Sequence, residues 1–219
     1  MDFNIAIDGP AGAGKSTTAR IVADKLKMTY VDTGAMYRAI TLLTIRHNKT
    51  NPEDVIKLAS EAEIDFKENR IYLNGEDVTD EIRNLAVTEK VSKIAAIPEV
   101  RAALTKLQRQ IAKNGGVVMD GRDIGTTVLP DAKYKFYLTA SVKERACRRY
   151  NELISKGYKV TFKQVEKDII DRDYQDKKRD FSPMAIADDA IIIDTTGKTI
   201  DEVVDEIIGC IKKGEGSVL

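Results

Sequence analysis

The apolar residues of the chain change period several times, and each change predicts an element. Phe3–Ile7 is a short apolar run that breaks into glycines, and from Lys15 to Leu26 the apolar positions Ala19, Val22, Ala23 and Leu26 recur at helical spacing. A second short run, Thr29–Val31, leads through "DTGAMYR" into a helix near Ala35. Strand, loop and helix repeated in that order predict a parallel sheet covered by crossover helices. Pro52 suits the first turn of another helix that ends near Ser60.

Between Glu63 and Glu76 the period becomes two. "EIDFKENRIYLNGEDV" alternates polar with apolar and offers turn pairs at Glu68-Asn69 and Asn74-Gly75, which predicts a small antiparallel meander. Helical patterns follow over about 80–95 and 98–114. The buried-strand pattern resumes at Val117–Met119 and Lys133–Leu138, with helices over 141–156 and 161–173 and an irregular charged stretch to Pro183. Ala190–Ile193 is the last strand, Thr199–Ile211 the last helix, and "KKGEGSVL" a frayed tail. The expected fold is therefore α/β, with a five-stranded parallel sheet in a core of residues 1–61 and 116–219 and a small α+β insertion over 62–115.

Composition narrows the chemistry by exclusion. A chain of 219 residues, 42% hydrophobic, can close one good core with a smaller appended piece. Lys plus Arg and Asp plus Glu both number 35, so no net field draws the molecule to nucleic acid or an anionic bilayer, and any anion site is local. No basic leader opens "MDFNIAIDG", and no apolar run reaches the roughly 18 residues of a membrane span. Cys147 and Cys210 are far apart in helix-like sequence and suit neither a disulfide framework nor a metal site. His47, the only histidine, reads as a surface or capping residue. The expectation is a soluble cytoplasmic monomer that has no membrane or nucleic-acid partner.

The first positive signal is "GPAGAGKS", which runs from Gly9 through Pro10, Ala11, Gly12, Ala13, Gly14 and Lys15 to Ser16 and is followed by Thr17. It fits the phosphate-loop pattern and has the required context, a strand before and a helix after. Its glycines let successive N–H groups converge on one point, and the helix N-terminus adds partial positive charge. Lys15 is expected to bridge the β- and γ-phosphates of a nucleoside triphosphate, and the Ser16 hydroxyl to ligate Mg²⁺. What receives the γ-phosphoryl is a separate question. A switch or motor delivers it to water, but no later strand here ends in the aspartate-and-glycine pattern such proteins use. Instead "GVVMD" runs into Gly121, Arg122 and Asp123.

In a parallel sheet, functional groups gather beyond the carboxyl ends of the strands. The ends of the first three core strands bring the glycine loop, "DTGAMYR" with Thr33, Tyr37 and Arg38, and "DGRDIGT" with Asp120, Arg122 and Asp123. Arg38 and Arg122 suit a dianionic monophosphate held by forked hydrogen bonds. The charged run "DRDYQDKKRD" follows two helices and reads as part of a mobile lid over 157–183, which brings arginines and excludes water.

Taken in order, "GPAGAGKS", "DTGAMYR", "GEDVTDEIR", "DGRDIGT" and "DRDYQDKKR" resemble the bacterial cytidylate kinases of the nucleoside monophosphate kinase superfamily, over nearly the whole chain. The resemblance implies a P-loop three-layer fold with a monophosphate-binding insertion and a short lid. It implies transfer of the γ-phosphoryl of ATP, as its Mg²⁺ complex, to CMP or dCMP. Arg38, Arg122, Arg172 and Arg179 would hold the acceptor phosphate, with Lys15, Arg122, Arg172 and Arg179 acting in catalysis. Ser92, Arg101 and Asp123 would contact cytosine, and Asp176 the sugar hydroxyls. Thr33 stands where many relatives have serine, and Gln175 and Lys177 depart from more arginine-rich lids. The alternatives are a kinase for UMP, dTMP or shikimate, and an ATP-dependent regulatory or nucleic-acid-binding switch.

Overall fold

The computed structural model describes residues 1–216, and these form two compact units, one of Met1–Tyr30 with the chain from Gly115 onward and one of Val31–Asn114. In the first unit, β1 (Ile5–Asp8) is buried along its whole length, which is why its sequence is a continuous apolar run ending in a single carboxylate. With β2 (Thr29–Asp32) it belongs to a five-stranded sheet whose other members come later in the chain.

The second unit begins earlier than the insertion expected over 62–115. It takes in α2 (Thr33–Arg46) and α3 (Pro52–Glu61), because α2 packs on the 3₁₀ turn Glu81–Arg83 and on α4 (Leu85–Ile94), and α3 packs on α5 (Pro98–Ile111). The helix expected over 80–95 is split where Asn84 turns extended and accepts a hydrogen bond from Val87 N–H at 2.8 Å, which starts α4 afresh. Here β3 (Ile64–Lys67), β4 (Arg70–Leu73) and β5 (Glu76–Asp77) pair antiparallel. Both connections have two residues with positive φ, 51° and 62° at Glu68-Asn69 and 51° and 82° at Asn74-Gly75, the backbone that closes a twisted hairpin.

Back in the first unit, β6 (Val117–Asp120), β7 (Tyr134–Thr139) and β8 (Ile191–Asp194) complete the sheet in the order β2-β6-β1-β7-β8. β1 runs parallel to β6 and β7, and β7 parallel to β8. α1 (Lys15–Leu26) and α8 (Ile200–Gly216) cover it, with Ala19, Val22, Val203, Val204 and Ile207 packed on Ile5, Ile7, Val118 and Phe136. Each such aliphatic side chain, once fully buried, contributes about 1.5–3 kcal/mol.

α8 extends past Ile211 through Lys212 to Gly216, so that part of the stretch expected to fray is helical, and residues 217–219 lie outside the described residues. α6 (Val142–Ser155) lies close to its expected span. α7 (Phe162–Lys177) runs four residues further than the expected end at Asp173, and the charges responsible are described below. Among the described residues no helix is long and apolar enough to cross a membrane, and no group of three or more His, Cys, Asp or Glu side chains could hold a metal ion by itself.

Candidate active site

β1 ends at Asp8 and the chain turns at once through Gly9–Gly14 into α1. Gly9 has φ 144°, and a Cβ there would lie 2.0 Å from the Leu138 carbonyl oxygen of β7, so only glycine lets the turn leave the sheet. A Cβ at Gly12, whose φ is 78°, would likewise lie 3.0 Å from Arg145. Ala11 and Gly14 are partly exposed, and Gly12, Ser16 and Thr17 are exposed. Lys15 is buried, and its Nζ donates to the Pro10 carbonyl at 2.8 Å. Burial, and then the neighbouring Arg122 charge, push its ammonium down to about 7, although Asp120 and Asp8 pull the other way. A buried cation that its own surroundings disfavour suits a position where an anion is to arrive.

Ser16 Oγ donates to Asp120 Oδ2 at 2.9 Å, and Tyr30 Oη donates to Asp120 Oδ1 at 2.8 Å. The last residue of β6 thereby faces the hydroxyl expected to ligate Mg²⁺. After Asp120 the chain passes through Gly121, Arg122 and Asp123 into a single π turn, Ile124–Val128. Asp123 is buried, and its carbonyl accepts from Thr127 N–H and Val128 N–H. Asp8, also buried, receives Ile124 N–H on Oδ1 at 2.8 Å and Gly125 N–H on Oδ2 at 2.7 Å.

The charged run past residue 171 is helical because its carboxylates are matched from distant parts of the same unit. Asp176, 2% exposed, accepts from Arg122 Nε at 2.9 Å through Oδ2 and from Arg179 through Oδ1. Burial pushes its carboxyl up, but Arg122, Arg179 and Arg172 outweigh that and hold it below the usual carboxylate range. One turn earlier, Asp173 pairs with Arg145 at 2.5 Å and accepts from Ala11 N–H at 3.4 Å. Arg145 also donates to the carbonyls of Ala140 and Ala11, both at 3.0 Å. Arg122, Arg172, Asp176 and Arg179 therefore form one electrostatic cluster, and Arg122 and Arg172 both act on Lys15.

The second unit gathers the remaining expected residues. Asp32 caps α2 by accepting from Ala35 N–H at 2.9 Å, and it pairs with Arg83 at 3.5 Å. Thr33 and Tyr37 are buried on α2. Arg101 is 2% exposed, stacks over the Tyr37 ring at 5.2 Å and donates to the Ala95 carbonyl at 3.2 Å. A helix arginine on the surface would not be buried in this way. Arg38 donates from one nitrogen to Thr88 Oγ1 at 2.9 Å and to the Ile82 carbonyl at 3.3 Å. Ser92 lies half-buried on α4.

Sequence reasoning passed over Asp8, Arg145 and Asp173. Only Asp8 carried a usable signal, since a carboxylate placed directly before an anion-binding glycine must have its own donors. Apart from the Ala140 carbonyl, the partners of the other two lie 28 or more residues away and leave no trace in local pattern.

A family model described as cytidylate kinase matches residues 5–213. The chain belongs to the cytidylate kinase family. It is 52% identical over 206 residues to a cytidylate kinase of Clostridioides difficile, covering 93% of this chain and 95% of that one. It is 53% identical over 215 residues to a cytidylate kinase of Alkaliphilus oremlandii, covering 97% and 99%. Among solved structures, a gluconokinase from Sinorhizobium meliloti has a TM-score of 0.53 at 12% identity, covering 99% of this chain and 96% of that one. A shikimate kinase from Bacteroides thetaiotaomicron has a TM-score of 0.51 at 13% identity, covering 96% and 98%. At that identity the likeness is one of fold, whereas the cytidylate kinases of the family match in sequence along almost their whole length.

Proposed function

We propose that this member of the cytidylate kinase family transfers the γ-phosphoryl group of ATP directly to CMP or dCMP, giving ADP and CDP or dCDP. The observation that carries the reading is the concentration of charge in the first unit. A buried lysine with a lowered proton affinity stands beside a cluster of three arginines held around one carboxylate. Gly9–Ser16 would act as the P-loop of a three-layer kinase fold, and the segment 157–183, with α7 in it, as its lid.

Within this reading Lys15 moves from the Pro10 carbonyl onto the β- and γ-phosphates, whose charge restores its proton. Arg122, Arg172 and Arg179 exchange the Asp176 carboxylate for phosphoryl oxygens, which leaves Asp176 to meet the sugar hydroxyls. The hydroxyl of Ser16 and the carboxylate of Asp120 are hard oxygen donors 2.9 Å apart, a set that fits Mg²⁺, which takes few protein ligands and keeps its waters. Ser16 would ligate the ion and Asp120 would hold one of its waters. When bound, Mg²⁺ supplies charge neutralisation between the donor phosphates. The acceptor phosphate, with a second pKa near about 6, is already anionic at neutral pH, so no strong general base is needed. Catalysis is then alignment and electrostatics.

Cytosine presents an exocyclic amine beside N3 and O2. It calls for an acceptor, a role that Asp123 would fill, and for donors, a role that Arg101 and Ser92 would fill. Thr33, Tyr37 and Arg38 would line the acceptor-nucleotide side of the second unit.

An ADP-release assay with Mg²⁺, ATP and separate CMP, dCMP, UMP, dTMP and shikimate tests the reading. Release that depends on CMP or dCMP supports it. Slow release indifferent to every acceptor would point to a switch, and release with another acceptor alone would reassign the substrate.

A further inference from the structure

We propose that Asp8 is a positioning residue for the transfer, its carboxylate fixing the turn that carries Arg122 and Asp123 against the first glycine of the donor cradle. The role rests on the kinase reading above and adds a residue to it. Asp8 is the last residue of β1 and directly precedes Gly9, so its backbone moves with the glycine turn. Its side chain points to the other end of the problem. Both oxygens accept backbone N–H groups, from Ile124 at 2.8 Å and Gly125 at 2.7 Å, immediately after Arg122 and Asp123. One carboxylate thus ties the start of the donor cradle to the start of the acceptor-side turn.

The tie is costly in isolation, and that cost argues for a role. Asp8 is 5% exposed, and no arginine or lysine among the described residues pairs with it. The charged and titratable groups that act on it are Lys15 from α1, Asp123 from the turn and Tyr137 from β7. Lys135 of β7 packs on Gly125, but its ammonium is paired with Asp189 at 2.7 Å. Burial pushes the Asp8 carboxyl up, the two backbone hydrogen bonds pull it down, and it settles at about 6. A neutral residue would fill the position at lower cost if all that were needed was packing.

An amide in place of the carboxylate turns one acceptor into a donor that faces an N–H group. The turn then loses one of its two anchors, and a displacement near 1 Å at a reacting group costs roughly 10²-fold. The test is steady-state kinetics of Asp8→Asn with ATP, Mg²⁺ and CMP, alongside ATP binding by calorimetry and thermal unfolding. The expected result is a fall of roughly 10²-fold in kcat/KM for CMP, with ATP affinity changed by less than about threefold, since the glycine cradle is intact.

A second readout separates positioning from mere support. Below about pH 6 the unsubstituted protein protonates Asp8 and loses the same anion, so the ratio of its kcat/KM to that of the variant should shrink as pH falls from 8 to 5. The ratio cancels the ionisation of CMP itself. Should Asp8→Asn fail to fold, Gly125→Ala probes the same contact from the other side, because its Cβ would sit 3.4 Å from Asp8 Oδ2 and 3.2 Å from the Lys135 chain. A milder loss confined to CMP is expected there.

Normal CMP use in both variants, a pH-independent ratio, or equal losses for ATP and CMP that track a fall in Tm would each overturn the role. Absence of CMP turnover in the unsubstituted protein fails the functional reading, and this role with it. An active unsubstituted protein with an unaltered variant fails the role alone.

Discussion

Lys15 shows why a functional residue is expensive to keep. Its ammonium is buried, donates to the Pro10 carbonyl of its own turn and is pushed down to about 7, chiefly by burial and by Arg122. A lysine whose folded pKa lies below its ordinary 10.5 binds fewer protons folded than unfolded between those two values. The resulting penalty is full below about pH 7 and disappears as pH rises towards 10.5. Lys15→Met should therefore raise the Tm of the nucleotide-free protein at pH 6, by roughly 2–4 °C for each kcal/mol recovered, and the gain should narrow towards pH 10. The same variant should lower kcat by about 10²–10³-fold. Calorimetric melting across pH, with turnover measured in parallel, checks both halves; an unchanged kcat would remove Lys15 from the mechanism. The lysine was legible from the spacing of "GPAGAGKS", but its depressed proton affinity was not, because that comes first from burial in the folded unit and then from Arg122, more than a hundred positions away.

At the scale of elements, local signals and long-range contacts divide cleanly. The meander could be read because its turns are written in adjacent residues, Glu68-Asn69 and Asn74-Gly75, whose positive φ values close the hairpins. α7 could not be read to its end. "DRDYQDK" has the composition of a solvated loop, and it is helical because Asp173 and Asp176, one turn apart, reach Arg145 and Arg122. The π turn at Ile124–Val128 was missed for a similar reason, since its N–H groups close on Asp8 across the sheet. The Arg145–Asp173 pair, its arginine buried and its carboxylate partly so, also supports the glycine turn through the Ala11 carbonyl and N–H. Removing one member of such a pair leaves an unmatched charge. Arg145→Met is accordingly expected to cost about 3–5 kcal/mol, read as a lower urea midpoint. A loss under about 1 kcal/mol would show that the pair is solvated.

For the whole molecule, the balance of 35 basic and 35 acidic residues leaves function to local charge, and each unit concentrates its own. The first holds the glycine turn and the arginine cluster, and the second holds Arg38, Arg83 and the buried Arg101. Base choice follows from polarity. UMP replaces the amine of CMP with a carbonyl that would face the Asp123 carboxylate, and a mismatched buried polar pair costs on the order of 1–3 kcal/mol. kcat/KM for UMP should then be about 10- to 100-fold below that for CMP, and equal values would remove Asp123 from base recognition. The most direct test follows the phosphoryl group itself. ATP labelled in its γ-phosphate is incubated with Mg²⁺, CMP and the protein, and the products are separated. Direct transfer predicts label in the β-phosphate of CDP, one for each ADP formed. Label released as inorganic phosphate, with CMP unchanged, would contradict it.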